Sequence, residues 1–325
     1  MVVAQDCSSA PALPQSVEVA DSPQVILSFD VEEHHRIEAA AGRHIAPELR
    51  AHCTARLEPA TRWLLDQLEQ RDIRATFFIV GDIARHKPEL LRAIHGAGHE
   101  IASHGWDHRR VLTMTPAEFR TDVRQSKDAL EQVTGEEVLG YRAPTFSITR
   151  ETPWALDVLA EEGMAYDSSI YPVRHDRYGI ASAPRAPFLA AGEENTILEL
   201  PPATLRILGT RIPMGGGGYF RLFPLIFTEW ALRQTARTCS PAVAMLYFHP
   251  WEFDLEQMRL PLNRLSRFRT YVGLRRSQKR LQSLLGRHRF VRAIDAVMRL
   301  RPRREQLPLF PVAAHPPRNG IKTSA

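Results

Sequence analysis

The sequence predicts an α/β protein with a parallel sheet, and three observations carry that expectation. Seven β-rich runs recur along the chain, and helical patterns lie between most of them. Five of the runs also end in a reactive residue: Asp30, His104, Arg142, Asp167 or His249. In a parallel barrel the C-terminal strand ends meet at one face, where an active site sits. Five such residues converging there is hard to explain as structure alone. Between a barrel and an open doubly wound sheet, a barrel-type hydrolase is the better reading.

Val25–Phe29 is the first run and ends at Asp30. Arg56–Arg71 follows, with Leu57, Trp63, Leu64 and Leu68 at helical spacing. Ala75–Val80 reads as a buried strand stopped by Gly81, and Pro88–Ala97 as a helix ended by Gly96 and Gly98 before the strand His99–Ser103. Thr115-Pro116-Ala117-Glu118 places Thr at the N-cap, Pro at N1 and Glu at N3, a strong helix start. Phe119, Val123, Ser126, Leu130 and Val133 continue one mostly apolar face until Gly135. Strand-like Val138–Tyr141 leads into Arg142-Ala143-Pro144. A helix from Thr152-Pro153 to Gly163 precedes Met164–Tyr166 and Asp167. Thr196–Leu200 is a strand closed by Pro201-Pro202, Phe223–Thr238 a helix, and Val243–Phe248 a strand ending at His249-Pro250. Segments 184–192 and 206–221 interrupt the pattern. The second holds Gly215–Gly218, without the lysine and spacing of a phosphate-binding P-loop. It reads as a mobile loop, or as a substrate-covering loop with Tyr219 or Phe220 stacking on a sugar ring.

With 325 residues, 44% of them hydrophobic, the chain can bury a substantial core as one large domain with an appendage, or as two domains. No apolar run approaches the roughly 20 residues needed to span a bilayer. Residues 1–22 carry no Lys or Arg and no apolar core, so no secretory signal is expected. Their Ser, Pro and Ala content suggests a disordered leader. Cys7, Cys53 and Cys239 form no Cys-x-x-Cys pair, and the expectation is a cytoplasmic protein with free thiols. Charge is uneven. Between Arg259 and Arg304 fifteen Lys or Arg stand against Asp295 alone, which is +14 in a chain of net +5, so the remainder carries −9. An acidic body thus bears a basic, mainly helical extension over 256–304, followed by a tail over 305–325 expected to be disordered. The extension lacks zinc-finger spacing and a recognised RNA-binding motif, so no nucleic-acid partner is expected.

Glu100–His108 is the stretch around which the rest is organised. It begins as an apolar strand, turns on Gly105, and sets His104 and His108 four residues apart. On a helical turn after Gly105, both imidazoles would reach one divalent ion. Spacing alone leaves two solvated or structural histidines as the alternative.

Four motifs occur in order: Ser28-Phe29-Asp30-Val31-Glu32, Ser103-His104-Gly105-Trp106-Asp107-His108, Tyr141-Arg142-Ala143-Pro144 and Leu246-Tyr247-Phe248-His249-Pro250-Trp251. Together they resemble the polysaccharide deacetylase (NodB-homology, carbohydrate esterase family 4) enzymes, over roughly residues 23–255. The chain is most similar to the exosortase-associated (PEP-CTERM system) subgroup of exopolysaccharide loci. That subgroup similarly carries Asp-Val-Glu rather than Asp-Asp, a Gly-Gly-Gly-Tyr-Phe-Arg segment and a basic C-terminal extension. The resemblance implies a deformed (β/α)7-type barrel over 23–255, with an inserted loop at about 203–221. It further implies a divalent metal, Zn2+ before Co2+, Ni2+ or Fe2+, held by Glu32, His104 and His108. Asp30 would be the general base, held by Arg142, and His249 the general acid, oriented by Asp167. Tyr141, Pro144, Tyr219 and Trp251 would contact substrate, with packing beside His249 as the alternative for Trp251. Where relatives have an acid and aromatics after Asp-Val-Glu, this chain has Glu33-His34-His35-Arg36. That leaves the third ligand open between Glu32 and Glu33, and His34 or His35 open as a further ligand, a cleft-rim residue or a surface histidine.

The implied activity is removal of N-acetyl groups from hexosamine units of a polysaccharide or lipid-linked glycan in exopolysaccharide biosynthesis. An amide carbonyl is a poor electrophile, so a metal that polarises it and lowers the pKa of bound water toward about 7 answers the need. A carboxylate then takes the water's proton and an imidazole protonates the departing amine. No nucleophilic serine is required, and no Gly-x-Ser-x-Gly elbow is present. O-deacetylation or hydrolysis of another amide shares this chemistry, and an inactive glycan-binding module would share the fold. For residues 259–304 the expectation is contact with an anionic membrane surface, peripheral at the inner membrane, or with an anionic lipid-linked substrate, each Lys or Arg near anionic lipid being worth about 1 kcal/mol; a solvated helical surface is the alternative.

Overall fold

The computed structural model describes residues 23–313. The leader expected over 1–22, and residues 314–325 of the expected tail, lie outside the described residues. From the N-terminus the elements are β1 (Gln24–Val31), α1 (Pro47–Glu69), β2 (Thr76–Ile79), α2 (Gly81–His86), α3 (Pro88–Gly96), β3 (Glu100–Ser103) and α4 (Pro116–Thr134). Next come β4 (Gly140–Tyr141), α5 (Trp154–Glu161), β5 (Tyr166–Asp167), β6 (Phe188–Ala191), β7 (Thr196–Glu199) and a hairpin of β8 (Thr204–Ile207) and β9 (Thr210–Pro213). The rest are α6 (Gly217–Leu222), α7 (Leu225–Thr238), β10 (Val243–Phe248), α8 (Arg264–Tyr271), α9 (Leu274–Leu285), β11 (Phe290–Val291), α10 (Ala293–Leu300) and β12 (Leu309–Pro311).

The main sheet runs β10-β1-β2-β3-β4-β5-β7-β6-β12, with β11 beside β1. Among the described residues, only the β6–β7 pairing within it is antiparallel. Its strands read as nearly continuous apolar runs because both faces are covered. Leu27, Phe29, Phe77 and Ile79 face the helical layer, and Ile26, Phe78, Ala102 and Met245 the interior. Beyond β7 the chain crosses to the other edge, where the Ala203 N–H donates to the Met245 carbonyl at 2.9 Å. The sheet therefore curls into the expected barrel-like form. The Thr115–Glu118 capping box starts α4, and Gly135 at φ 73° ends it.

Three expectations need correction. Segment 203–221 is a β8–β9 hairpin and helix α6, not a loop. A Cβ on Gly216 would lie 1.6 Å from the Tyr247 carbonyl oxygen, so glycine is needed there for close approach to β10. Residues 305–313 are not wholly a tail, since β12 pairs in parallel with β6 and Phe310 packs on Phe188, ring centroids 5.5 Å apart. An edge strand tolerates the prolines that hid it. The basic segment is helical, yet it is no appendage. Phe290–Val291 pair with Val25–Ile26, and Ala293, Ala296 and Leu300 pack against Ile26, Phe78 and Met245. Among the described residues, no helix is long and apolar enough to cross a membrane.

Candidate metal and catalytic centre

Asp30 and Glu32 stand at the C-terminal end of β1, His104 follows β3, Arg142 follows β4 and His249 follows β10. Parallel strands deliver these ends to one side of the sheet. There Glu32, His104 and His108 offer ligand atoms within 4.8 Å of one another. The two histidines do not share a helical turn. The chain after His104 is irregular, with Gly105 at φ 73° and His108 at φ 67°. This left-handed bend brings the two rings to 5.1 Å between centroids.

His104 Nδ1 donates to the Arg142 carbonyl at 2.8 Å, which fixes the tautomer and leaves Nε2 with its lone pair. Burial lowers its pKa to about 4, so the imidazole is neutral. Glu32 Oε1 accepts from the Trp251 indole at 3.3 Å. Its Oε2 is buried without a hydrogen-bond donor and sits against His108 Nε2. Burial acts to raise the Glu32 pKa, but His108 foremost, then His249 and His104, hold it well below the usual carboxylate range. An orphaned carboxylate oxygen facing two imidazoles is a donor set that fits a divalent cation. Glu33 turns away and pairs with Arg36 at 2.5 Å. His34 is buried and stacked on Trp251, centroids 4.9 Å apart, and burial pushes its pKa down to about 3. Neither His34 nor His35 lines the groove described below.

Arg142 is fully buried. Its Nη1 reaches Asp30 Oδ1 at 2.5 Å and Ser28 Oγ at 3.0 Å, and its guanidinium lies 4.0 Å from the Phe78 ring centroid. The second Asp30 oxygen is 3.9 Å from His249 Nε2, which is also 3.7 Å from Glu32 Oε1. His249 Nδ1 meets Glu252 Oε1 at 2.7 Å, and the Arg221 guanidinium holds the other Glu252 oxygen. Burial alone would lower the His249 pKa, but Glu252, Glu32 and Asp30 raise it to about 9. Glu252 and Arg221 are absent from the expected site. The available signals are Glu252 three residues after His249, and Arg221 closing the Gly-Tyr-Phe-Arg run.

Three expected site residues lie elsewhere. Asp167 does not orient His249. It is buried with Ser169 Oγ at 2.5 Å and pairs with Glu199, while Glu252 takes the histidine. Tyr141 is a core residue packed edge-on against Phe119 of α4, because strand alternation turns it outward and Arg142 inward. Pro144 is buried at the start of a 3-10 turn, and Ala143, Thr145 and Phe146 line the groove instead. Tyr219 and Trp251 do line it.

The groove has a volume of about 370 Å³. Its floor is the cluster above. Its far wall comes from α6 and α8, with Tyr219, Leu222, Leu265 and Phe268.

The class these features define is the NodB-homology fold. A putative polysaccharide deacetylase from Mycobacterium smegmatis, 21% identical, superposes with a TM-score of 0.58 over 95% of this chain and 99% of its own. Residues 51–166 match the polysaccharide deacetylase family model, and residues 168–298 match a domain of unknown function (DUF3473). Residues 51–166 are thus similar to a polysaccharide deacetylase domain. It is 30% identical over 102 residues to a chitooligosaccharide deacetylase from Bradyrhizobium, 31% of this chain and 44% of that one. It is 30% identical over 86 residues to chitin deacetylase 1 of Cryptococcus neoformans, 26% and 18% of the two chains. The matches span less than half the length of these relatives.

Proposed function

We propose that the protein is a metal-dependent deacetylase that hydrolyses acetamide groups on N-acetylhexosamine units of a polysaccharide or lipid-linked glycan. The observation that carries this reading is the orphaned Glu32 oxygen facing His104 and His108, flanked by Asp30 and His249. The deacetylase relatives support the reaction class. The likeness to the exosortase-associated subgroup supports a role in exopolysaccharide biosynthesis, on the cytoplasmic side.

Glu32, His104 and His108 would hold the cation, Zn2+ being the natural occupant of a two-histidine, one-carboxylate set. When bound, it would polarise the acyl carbonyl and acidify a water. Asp30 keeps Oδ1 fixed by Arg142 and leaves Oδ2 to take a proton from that water. With its pKa at about 9, His249 is protonated at neutral pH. Its Nδ1–H is committed to Glu252, so the proton it delivers to the departing nitrogen is the one on Nε2. The water oxygen joins the acyl carbon, the C–N bond breaks, and acetate and the amine leave. Tyr219 offers an aromatic face for a sugar ring, whereas the Trp251 ring at the groove wall is taken up by stacking on His34 and His249.

Acetate release from N-acetylated oligosaccharides and lipid-linked glycans, with metal-free protein as control, tests the reading. Release that requires metal is the expected result. No release from any N-acetylated glycan by the metal-loaded protein overturns it.

A further inference from the structure

We propose that the face formed by α6, α7 and α8 at the mouth of the groove docks on an anionic lipid bilayer. Presentation of a lipid-linked glycan to the site rests on the deacetylase reading; the docking itself does not.

Five large apolar side chains are exposed on these helices: Leu222 (44%), Ile226 (59%), Trp230 (48%), Leu265 (59%) and Phe268 (56%). Leu222, Leu265 and Phe268 line the groove, so this apolar surface begins where substrate would enter. Ile226 and Trp230 are four residues apart on α7, the helix that follows α6, so they share one exposed face of it. Arg221 of α6 bonds the Arg269 and Thr270 carbonyls, which ties α6 to α8.

On α8 the apolar and cationic residues interleave. Leu265 and Phe268 are three apart and exposed, Arg264, Arg267 and Arg269 beside them are exposed, and Ser266 and Thr270 face inward. Arg275, Arg276 and Lys279 of α9 extend the charge. Asp176 stands 3.4 Å from Arg269, but among the described residues no carboxylate pairs with Arg264, Arg267, Arg275 or Arg276. No acidic residue occurs between Glu256 and Asp295.

This combination fits a bilayer of anionic lipid. Apolar side chains enter the boundary between headgroups and acyl chains, and arginines meet the lipid phosphates. A glycan in solution needs neither feature. A second copy of the chain would bring one cationic face against another, which like charge opposes.

The test is sedimentation with phosphatidylcholine vesicles, with and without phosphatidylglycerol, at low and high salt. Binding to the anionic vesicles alone, weakened by salt, is expected. At about 1 kcal/mol per cation, Arg264→Glu with Arg267→Glu should weaken partition by about 25-fold or more. Leu265→Ser with Phe268→Ser should also weaken it while leaving the charge intact. Bromine-labelled acyl chains should quench tryptophan emission in the wild type and lose that quenching in Trp230→Phe. Circular dichroism and melting confirm that each variant is folded. Equal binding to neutral vesicles, no binding, or binding unchanged in both double variants overturns the proposal. So does a wild-type dimer that the serine pair converts to monomer. Vesicle binding is read without turnover, so this result and that of acetate release fail independently.

Discussion

His249 Nδ1 lies 2.7 Å from Glu252 Oε1, and Arg221 holds the other oxygen of that carboxylate. One glutamate thus joins a histidine at the end of β10 to an arginine on α6. Glu252 also accepts the His249 backbone N–H at 3.1 Å, so the ring and its own backbone are fixed by the same group. A cation at Glu32 would oppose the share of the His249 shift that comes from Glu32. The share from Glu252 would remain.

Glu252→Gln should therefore lower the His249 pKa from about 9 toward its ordinary value of 6.5. The proposed acid works protonated, so the alkaline limb of the rate profile should move to lower pH. Each unit of that fall costs about tenfold above the new pKa. Acetate release against pH in the two proteins measures it. An unmoved alkaline limb would remove Glu252 as the residue that positions and tunes the histidine.

β1 to β5, β7 and β10 and the residues at their C-terminal ends were legible because buried parallel strands are short apolar runs and each reactive residue stands at or just past the end of one. Glu252 was not, since a Glu three residues after a strand end reads equally as a cap, and Arg221 is remote in sequence. Tyr141 misled because its motif neighbours reach the site while strand alternation sends its own ring to α4. The histidine spacing suggested a helix, whereas a left-handed Gly105 makes the bend. The charge of α8 was visible, but not that its Leu265 and Phe268 would wall the groove, because that depends on which surface the helix packs against.

Asp167 and Glu199 are paired across β5 and β7 and fully buried. Burial raises both, Asp167 to about 6 and Glu199 well above its usual range. Two carboxyls in one site share a proton more readily than both ionise. Their folded pKa values lie above the unfolded values of 3.8 and 4.5. The stabilisation is thus complete below those unfolded values and is lost as pH rises through about 6 and beyond. This pair should make the denaturant midpoint fall from pH 5 to pH 8, against the rise contributed up to about pH 6.5 by His34, His99 and His104, whose pKa values burial lowers. In Glu199→Gln, whose amide donates without titrating, that fall should shrink. Parallel pH dependence in both proteins would show the pair to be electrostatically silent.

His104→Ala and His108→Ala should each lower metal content and activity together. Loss of an outer residue around a metal site typically costs about 10–100-fold in affinity or activity, and loss of a ligand should exceed that. Metal analysis of the dialysed variants checks it. A folded double variant with unchanged metal stoichiometry would remove this site.

Arg142→Met should destabilise the fold even without substrate. It strands the Asp30 carboxylate in the interior, and breaking a buried pair on one side typically costs about 3–5 kcal/mol. Adding Asp30→Asn should recover part of that loss, because an amide tolerates burial better than an unpaired charge. Urea denaturation of the two single variants and the double variant forms the cycle. Strict additivity would show that Arg142 stabilises through its contacts with Ser28, Ser168 and Phe78 and not through Asp30.

Asp30→Asn and His249→Ala separate chemistry from binding. Asparagine keeps the size of the side chain and can still accept from Arg142, but it cannot take a proton from water as a carboxylate does. His249→Ala removes the proposed donor and leaves Glu32, His104 and His108 in place. Both variants should retain the metal and bind substrate, and turn over about 10²–10⁴-fold more slowly. The alkaline limb should vanish from whatever activity His249→Ala retains, because the titrating acid is gone. Near-wild-type turnover in both would sink this assignment of acid and base, even for a protein that proved to be a metal hydrolase. Loss of metal from Asp30→Asn would exchange the roles of Asp30 and Glu32. In the structure Glu32, not Asp30, has the oxygen that lies free against His108, so metal retention is the expected result.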